Sequence, residues 1–345
     1  MKKTTAVMMT LLLLLSLSAC GKNPNSSETG TASADDFLKW KHNTTEILCP
    51  LATGGGTDLA ARVLAQALTE ATGKNFIVTN NTTASGAEVY DTVSESKDCS
   101  TISFTLGSYF SGYWTGIHDF APGEAIVPAA VLQTAGTGSA FFCVKADSPY
   151  QTFENVLTEM KAHPGTVKFG IPTGGINYFQ AYELRESIDF DAKFVDAAGD
   201  SEKITGILGG TIDIGTINAN QAGQYVASGD MRALIALMPY DKDKVPEALW
   251  GVPTFEEKGY KVPNCLTNYY YILASSKASA SEIEQLYKLI EYVMSLDSTK
   301  EAFAKITQYP AALTIAGSKE NFDASNQSYY DVAKAAGILA AGREK

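Results

Sequence analysis

The stretch from Ile47 to Gly73 constrains the fold of this chain most strongly, because it joins a strand, a glycine-rich loop and a helix. Apolar residues at 47–49 predict the end of a strand. Apolar side chains then recur at i, i+3 and i+4 from Ala60 to Ala71, which predicts a helix with one buried face, and Gly73 is a typical helix terminator. Strands and helices continue to alternate along the chain. This pattern predicts an α/β fold with mostly parallel sheets and helices on both sheet faces.

The loop at residues 50–58 has the composition of an anion-binding site. Three successive glycines at 54–56 remove Cβ atoms, so a ligand can approach the main chain closely, and Thr57 or Asp58 is the predicted N-cap of the helix. Unpaired N–H groups and the positive end of the helix dipole favour a carboxylate, sulfate or phosphate there. A tight turn without a ligand is the alternative. Nucleotide binding is disfavoured, because neither Gly-Lys-Ser/Thr nor G-x-G-x-x-G occurs in the loop.

A second segment repeats this device in the other half of the chain. The strand predicted at 167–171 leads into P-T-G-G-I-N at 172–177, and a helix is predicted from Tyr178. Two glycine-rich helix starts, one in each half, predict a ligand held from both sides of a cleft. Two unrelated tight turns are the alternative.

Five segments in sequence order resemble the landmarks of one known family. Residues 50–62 (P-L-A-T-G-G-G-T-D-L-A-A-R) carry a proline, a Gly-Gly pair, an Asp and an Ala-Arg at the spacing found in the extracytoplasmic solute receptors of tripartite tricarboxylate transporters, the Bug family. The other segments are F-I-V-T-N before Ser85-Gly86, D-S-P-Y before a later H-P-G, L-G-G-T-I-D, and V-P-T-F-E-E-K-G. The resemblance runs from about residue 46 to about residue 317.

The resemblance implies a two-domain, hinged periplasmic-binding-protein fold, type II-like, with the ligand in the cleft between the domains. It also implies that the first loop presents backbone N–H groups to a ligand carboxylate, partly through water. The first-loop candidates are Leu51, Ala52, Thr53, Gly54, Gly55, Thr57 and Asp58. For Asp58 the favoured role is capping its own helix, because a carboxylate facing the anion repels it, and Arg62 is its predicted i, i+4 partner.

Further candidate residues follow other predicted strands. Thr83, Ser85 and Gly86 occupy the second loop of the family pattern, where a plain turn is the alternative. Ser108 follows the third predicted strand, and open α/β sheets bind ligands at the carboxyl ends of their strands. The candidates in the second half are Thr173, Gly174, Asn177 and Asn218.

The chain departs from the family pattern at two places. Residues 196–200 read D-A-A-G-D where relatives carry an aromatic-Lys-Gly segment, and N-Y-Y-Y at 268–271 replaces a Trp. Both segments flank the cleft in the family picture, so the identity of the ligand is not transferred. Tyr109, Tyr113 and Trp114 are predicted as ordinary core or rim aromatics rather than as a platform for an aromatic acid.

The N-terminus has the pattern of a bacterial lipoprotein. Residues 1–19 combine two lysines with a pentaleucine-containing apolar run, and L-S-A-C-G places a small-residue cleavage site before Cys20. The apolar run is shorter than the roughly 20 residues needed to span a bilayer. We therefore predict a signal peptide at 1–19, lipidation of Cys20, and a flexible tether at 20–36 that is poor in large apolar residues.

The remaining length predicts two domains, because some 300 residues exceed what a single core usually holds. Domain 1 is predicted at 37–135 plus 266–345, and domain 2 at 136–265. The first is discontinuous because the late helices have no sheet of their own and are expected to pack back on it.

Composition and residue types exclude several functions. The formal net charge of −11 and the absence of a basic cluster disfavour nucleic acid as a partner. The sequence has three His and no C-x-x-C, so no metal site and no cofactor are predicted, and Cys49 and Cys143 are expected to be small buried residues on strands. No G-x-S-x-G or suggestive His context occurs, and the chain is not predicted to be an enzyme.

The sequence therefore predicts a monomeric, lipid-anchored extracytoplasmic receptor that captures a small carboxylate. The ligand is expected to be a dicarboxylate, a tricarboxylate or an aromatic acid, and the partner a membrane permease of the tripartite tricarboxylate type. A ligand-sensing receptor for a signalling partner, a receptor for an ABC-type transporter and an exported hydrolase are the alternatives.

Overall fold

Two mixed β-sheets organise the part of the chain that the computed structural model describes, namely residues 36–134, 140–171, 175–197, 199–260, 269–306 and 308–344. From Phe37 onward the chain forms one compact unit. The predicted signal peptide and Cys20 lie outside the described residues. Among the helices described, none is both long enough and apolar enough to cross a membrane.

The elements alternate along the chain as the sequence predicts. The described strands are β1 (Thr44–Cys49), β2 (Asn75–Asn80), β3 (Thr101–Thr105), β4 (Ile126–Thr134), β5 (Ala140–Lys145), β6 (Lys168–Ile171), β7 (Lys193–Asp196), β8 (Ile214–Asn218), β9 (Met231–Ala236), β10 (Tyr269–Ser275) and β11 (Pro310–Ala312). The described α-helices are α1 (Gly56–Thr72), α2 (Ala87–Glu95), α3 (Ser108–Trp114), α4 (Phe153–Ala162), α5 (Gly175–Ile188), α6 (Asp200–Gly209), α7 (Ala219–Ala227), α8 (Ala280–Ser295), α9 (Asp297–Lys305) and α10 (Ile315–Ala335).

The first sheet has the strand order β11-β4-β10-β3-β1-β2 within the described residues. Strand β1 pairs in parallel with β2 and β3, so Leu48 lies opposite Thr79 on one side and Ser103 on the other. Strand β10 is antiparallel to both β3 and β4, and β11 is antiparallel to β4. We call this sheet, with α1–α3 and α8–α10, the first lobe.

The second sheet has the order β7-β6-β8-β5-β9 within the described residues. Strand β6 pairs in parallel with β7 and β8, whereas β5 is antiparallel to β8 and β9. We call this sheet, with α4–α7, the second lobe. In each lobe, one strand thus lies between two parallel neighbours, and this strand is β1 in the first lobe and β6 in the second.

The α/β class is confirmed, but the prediction that each sheet is mostly parallel is wrong. Only the strands joined by helical crossovers run parallel, among the pairs that the structure describes. The chain passes from the first lobe to the second between β4 and β5, and it returns between β9 and β10. These four strands pair antiparallel with their neighbours. The sequence pattern identified these strands without their direction.

Apolar clusters cover both faces of each sheet, as predicted. One face of the first sheet packs on α1 and α8 through side chains such as Leu68 and Ile290, and the other face packs on α2, α3 and α10 through Tyr90, Phe110 and Phe322. Fully burying such a side chain contributes about 2 kcal/mol. In the second lobe, α4 and α5 cover one face and α6 and α7 the other.

Gly73 ends α1 as the sequence predicts. Its φ of 67° lies in the left-handed region, and its N–H donates to the carbonyl of Thr69. The buried thiols also follow the prediction, because Cys49 and Cys143 are fully buried on strands and free. Burial raises the pKa of both thiols.

A helix of the second lobe packs directly on the first lobe. Phe179 of α5 is buried in the aromatic cluster of the first lobe, and its ring lies 5.3 Å from that of Tyr329 on α10. Ser328 Oγ donates to Glu183 Oε1 at 2.6 Å between the same two helices. The lobes are therefore joined by a helix interface as well as by the chain connections. The domain boundaries proposed from the sequence remain a prediction.

Candidate ligand-binding site

The carboxyl ends of β1, β2 and β3 lie at one edge of the first sheet. From β1 the chain crosses to β2 on one side, and it later returns to β3 on the other side of β1. Such a reversal of direction opens a crevice at the carboxyl end of the central strand, where α/β proteins bind ligands. The loops that follow these strands, at 50–55, 81–86 and 106–107, therefore define the first half of the candidate site.

The first loop is folded by its own backbone and by Asp58. The N–H of Gly54 donates to Asp58 Oδ2 at 2.8 Å, and the N–H of Gly55 donates to the carbonyl of Ala52 at 3.2 Å. Gly54 has a φ of 81°, which favours glycine at this position. Residues 52–56, including Thr53, are exposed to solvent.

The prediction that Thr57 or Asp58 is the N-cap of α1 is wrong. The helix begins at Gly56 with Gly55 as its N-cap, and this residue makes no side-chain capping bond. The carboxylate of Asp58, inside the first turn, reaches back to the loop instead. The first N–H groups of an α-helix have no acceptor within the helix, and here they belong to Gly56, Thr57 and Asp58.

Asp58 belongs to a polar network that fixes the loop, and its predicted pairing with Arg62 is confirmed. Arg62 Nη2 lies 2.9 Å from Asp58 Oδ1, and Arg62 Nε donates to Oδ2 at 3.1 Å. Arg62 Nη2 also donates to Asn80 Oδ1, whose amide group donates to the carbonyl of Leu51 at 2.9 Å. Burial raises the pKa of Asp58, but the bonds from Arg62 and Gly54 outweigh it and hold the pKa below its usual value. Asp58 is thus a buried anion that shapes the loop.

The second loop packs directly on the first. Ala84, Ser85 and Gly86 are three successive residues in the left-handed region, with φ of 48°, 57° and 87°. A Cβ on Gly86 would lie 2.5 Å from Pro50 Cβ, so only glycine fits there. Residues other than glycine rarely adopt this backbone, and such strain concentrates at functional sites. The neighbouring Thr83 is exposed, and its N–H donates to Asn81 Oδ1 at 2.9 Å.

The third loop begins α3 at Ser108. Ser108 Oγ lies 3.4 Å from Thr105 Oγ1, which also contacts the hydroxyl of buried Tyr90. The next residue, Tyr109, is fully buried, and Trp114 is 4% exposed. These two aromatics belong to the core of the first lobe, as predicted.

Gln308 also contacts the first loop. Its Nε2 donates to the carbonyl of Gly56 at 2.9 Å, and its Oε1 accepts from the hydroxyl of Tyr270 at 2.8 Å. Tyr270 lies in the segment that departs from the family pattern. No sequence signal links these residues to the loop, since Gln308 lies 252 positions after Gly56.

The second lobe repeats the sheet geometry around β6. Helix α5 begins at Gly175, shortly after this strand, and Asn177 lies in its first turn. Thr173 and Gly174 lie outside the described residues, and the Asn177 side chain is not described. Helix α5 packs on α3, and α3 follows the third loop of the first lobe. The segments that precede α3 and α5 in the sequence are therefore followed by two helices that contact each other.

Asn218 is occupied by contacts within its own lobe. Its Oδ1 accepts from the N–H of Gln221 and so caps α7, and its Nδ2 donates to Asp200 Oδ2 at 2.6 Å. The N–H of Asn218 donates to the same carboxylate oxygen at 3.0 Å. The structure therefore gives Asn218 a capping role and links it to the first residue of α6.

Two α/β lobes, each with a strand between two parallel neighbours and joined at a helix interface, define the chain as a two-lobed solute-binding protein. The TctC family, described as the tripartite tricarboxylate transporter family receptor, matches residues 60–316. The chain belongs to this family of periplasmic solute receptors, which are not enzymes. This finding confirms the resemblance drawn from the sequence.

Individual relatives agree with this assignment. The chain is 23% identical to Protein BugT of Bordetella pertussis over 275 residues, which cover 78% of this chain and 82% of BugT. A TctC solute-binding protein from Polaromonas, solved without ligand, is similar in fold with a TM-score of 0.71 and 19% identity over 85% of this chain and 98% of that one. Rpa4515 of R. palustris, solved with adipate, has a TM-score of 0.60 and 17% identity over 87% of this chain and 99% of that one.

Proposed function

We propose that this receptor captures a small carboxylate at the carboxyl edge of β1 and delivers it to a tripartite tricarboxylate-type permease. The observation that carries the proposal is the start of α1. Its first N–H groups have no acceptor within the helix, its N-cap is a glycine, and the loop before it is exposed. Such a helix start attracts an anion through its donors and its dipole.

The electrostatics of the whole chain support a local mechanism of capture. A formal net charge of −11 does not draw anions from a distance. The carboxylate is therefore recognised at short range, by main-chain donors of the first loop and by hydroxyl groups such as those of Thr53 and Ser85. The adipate bound by a protein of similar fold supports a dicarboxylate, and a tricarboxylate or an aromatic acid is the wider class.

The second lobe completes the site in this proposal. Thr173, Gly174 and Asn177, around the start of α5, would contact the ligand from the opposite side of a cleft between domain 1 (37–135 plus 266–345) and domain 2 (136–265). Binding then stabilises the closed arrangement in proportion to the preference of the ligand for it.

The N-terminal sequence supports a proposal for how the receptor is anchored. We propose that the signal peptide is removed at residue 19, that Cys20 is lipidated, and that residues 20–36 tether a monomeric receptor to the outer face of the membrane. Mass spectrometry of the protein purified from its membrane fraction tests this step. A Cys20-terminated lipopeptide is expected, and an intact residue 1–19 segment would contradict the anchor.

A thermal-shift screen tests the ligand class. Purified protein is heated with dicarboxylates, tricarboxylates, aromatic acids, amino acids, sugars and phosphonates. A ligand specific for the native state at 100 times its dissociation constant adds about 2.7 kcal/mol, which raises the melting temperature by a few degrees. Shifts from carboxylates are expected. Shifts from sugars or phosphonates alone would overturn the carboxylate assignment.

Gly55→Val tests the position of the site once a carboxylate is found. A Cβ at Gly55 would lie 3.2 Å from the carbonyl oxygen of Ala52, and the backbone there suits any residue, so the variant is expected to fold and to block the loop. Gly209→Val, at the end of α6 in open space, is the matched control. Unchanged affinity in folded Gly55→Val, measured by calorimetry, would remove the first loop from the site.

A further inference from the structure

Three side chains from distant parts of the sequence meet in the first lobe, away from the candidate ligand site. His42 precedes β1, Asp98 lies between α2 and β3, and Glu282 is in the first turn of α8. One ligand atom from each, an imidazole nitrogen or a carboxylate oxygen, lies within 4.8 Å of the others. His42 and Glu282 are 240 positions apart, so no local sequence motif indicates the cluster.

The cluster combines a buried anchor with a route from solvent. The Glu282 side chain is 5% exposed, whereas those of His42 and Asp98 are 13% and 37% exposed. His42 Nε2 lies 2.6 Å from Glu282 Oε1 and 4.0 Å from Asp98 Oδ1. Ligand atoms of a tetrahedral zinc site, each about 2.1 Å from the metal, lie roughly 3.4 Å apart. The two observed separations, 2.6 and 4.0 Å, lie below and above this value, so small side-chain shifts would bring these atoms to zinc-binding distances.

We propose that His42, Asp98 and Glu282 form a binding site for a first-row divalent metal ion, with Zn²⁺ as its best probe. One imidazole and two carboxylates, with water completing a tetrahedron, are ligands that zinc accepts. The imidazole disfavours Ca²⁺ and Mg²⁺, which prefer oxygen ligands. The two carboxylates offset part of the charge of the ion, because Glu282 also pairs with Lys41.

The hydrogen bonds around Glu282 leave a place for the ion. Lys41 Nζ bonds Oε2 at 2.7 Å, and the N–H of Cys99 donates to Oε1 at 2.8 Å. The remaining lone pair of Oε1 faces His42 Nε2. A metal ion would replace the hydrogen bond between these two atoms, and the displaced proton would leave to solvent or move to Nδ1 of His42. Lys41 and Cys99 keep their bonds and hold the carboxylate in place.

The position of the cluster separates it from ligand capture. It lies where β1 and β3 begin, at the edge of the first sheet opposite to the loops of the candidate site. A metal ion there joins the segment before β1 to the first turn of α8. We therefore expect metal binding to raise the stability of the first lobe while leaving carboxylate affinity unchanged.

Calorimetric titration of ZnCl₂ into the metal-stripped full chain tests the proposal. One zinc ion per chain is expected, together with a rise in melting temperature of a few degrees at saturation. His42→Ala and Asp98→Asn should each weaken binding at least tenfold. Asp98→Asn keeps the shape of a half-exposed side chain, so it guards against a folding defect in the other variant.

His163→Ala is the matched control. His163 pairs with Glu159 at 2.9 Å on the exposed surface of the second lobe, so it represents an ordinary His–Glu pair. Its loss should leave zinc binding unchanged. The proposal is overturned if the chain binds no zinc, or if zinc affinity in His42→Ala and Asp98→Asn equals that in His163→Ala.

Discussion

Helix α1 of the first lobe and helix α7 of the second both follow a parallel strand, but their first turns are satisfied differently. Asn218 caps α7 with its own side chain, and this amide also bonds Asp200. Helix α1 starts from Gly55, which has no side chain for capping, and Asp58 bonds the loop before the helix. The first lobe thus keeps main-chain donors for an outside acceptor, whereas α7 uses an acceptor of its own.

The acidic residues sharpen this contrast. Asp200 and Glu202 lie in the first turn of α6, where negative charge offsets the helix dipole. Helix α1 has a single acidic residue in its first turn, Asp58, which pairs with Arg62, so an anion gains less from α6 than from α1. In the proposed site, we therefore expect α1 of the first lobe to supply more main-chain donors to the carboxylate than α6 or α7 of the second lobe.

The largest expected effect comes from the contact between the first two loops. Gly86→Ala adds a Cβ 2.5 Å from Pro50 Cβ at a φ of 87°, so we expect a loss of about 4 kcal/mol in unfolding free energy and a loss of carboxylate binding. Gly209→Ala in the second lobe meets open space and should not destabilise the protein. Urea unfolding of both variants measures the difference. Equal stability would show that the loops do not depend on their contact.

Acid should weaken the first lobe through His118, because its buried imidazole is held neutral. Nδ1 accepts from the N–H of Phe120 and Nε2 bonds the carbonyl of Tyr109, while burial lowers the pKa to about 4. Nearby Arg343 also lowers this pKa and Asp119 opposes it. The unfolded state takes up the proton first, so stability is full above pH 6.5 and falls by about 3 kcal/mol towards pH 4.

Urea unfolding of the protein and of His118→Gln at several pH values measures this loss. Gln also donates and accepts hydrogen bonds but does not titrate in this range, so its stability should fall less steeply. The second lobe, whose core contains the apolar cluster around Phe142, should lose less stability in acid than the first lobe. Equal slopes of unfolding free energy against pH for the two proteins would show that His118 does not cause the loss of stability.

Asp58→Asn tests whether the network behind the first loop matters for binding. The change weakens the bonds to Arg62 and Gly54, and bonds to charged groups contribute about 2 kcal/mol each. We expect a roughly tenfold loss of carboxylate affinity, because the loop is less well fixed. Asp200→Asn in the second lobe should leave affinity unchanged or slightly higher, because it removes an anion from the start of α6. Isothermal titration of both variants decides, and a greater loss in Asp200→Asn would reverse the comparison.

The smallest effect is expected at Asn218. Asn218→Ala removes the cap of α7 and should cost about 1 kcal/mol of stability, with carboxylate affinity nearly unchanged. A large loss of affinity without loss of stability would instead make Asn218 a ligand contact. Thermal unfolding and calorimetry on the same sample separate the two outcomes.

Local sequence patterns predicted the parts of the fold that depend on local interactions. The apolar periodicity of α1 and the left-handed Gly73 at its end were readable because neighbouring residues determine both. The direction of β10, between β3 and β4, was not readable, since strand pairing depends on distant partners. The three-residue strand β11 is too short to carry a period.

The same distinction applies to the candidate site. The glycine loop and the pairing of Asp58 with Arg62 follow from local spacing, and the structure contains both. Gln308 contacts the loop through tertiary packing alone, and the contacts of Glu282 with residues such as Cys99, at the opposite edge of the sheet, also depend on tertiary packing. The sequence predicts unpaired N–H groups at the start of α1, but it does not predict the N-cap. The carboxylate of Asp58 accepts from the N–H of Gly54 in the loop instead of capping the helix.

The contact between Gly86 and Pro50 also bears on redesign. Because the two loops share this packed boundary, a sequence change in one alters the space open to the other. Anyone adapting this receptor into a biosensor for a new analyte should therefore exchange residues 50–56 and 81–86 as a single cassette. Libraries that diversify one loop at a time will sample mostly misfitted pairs.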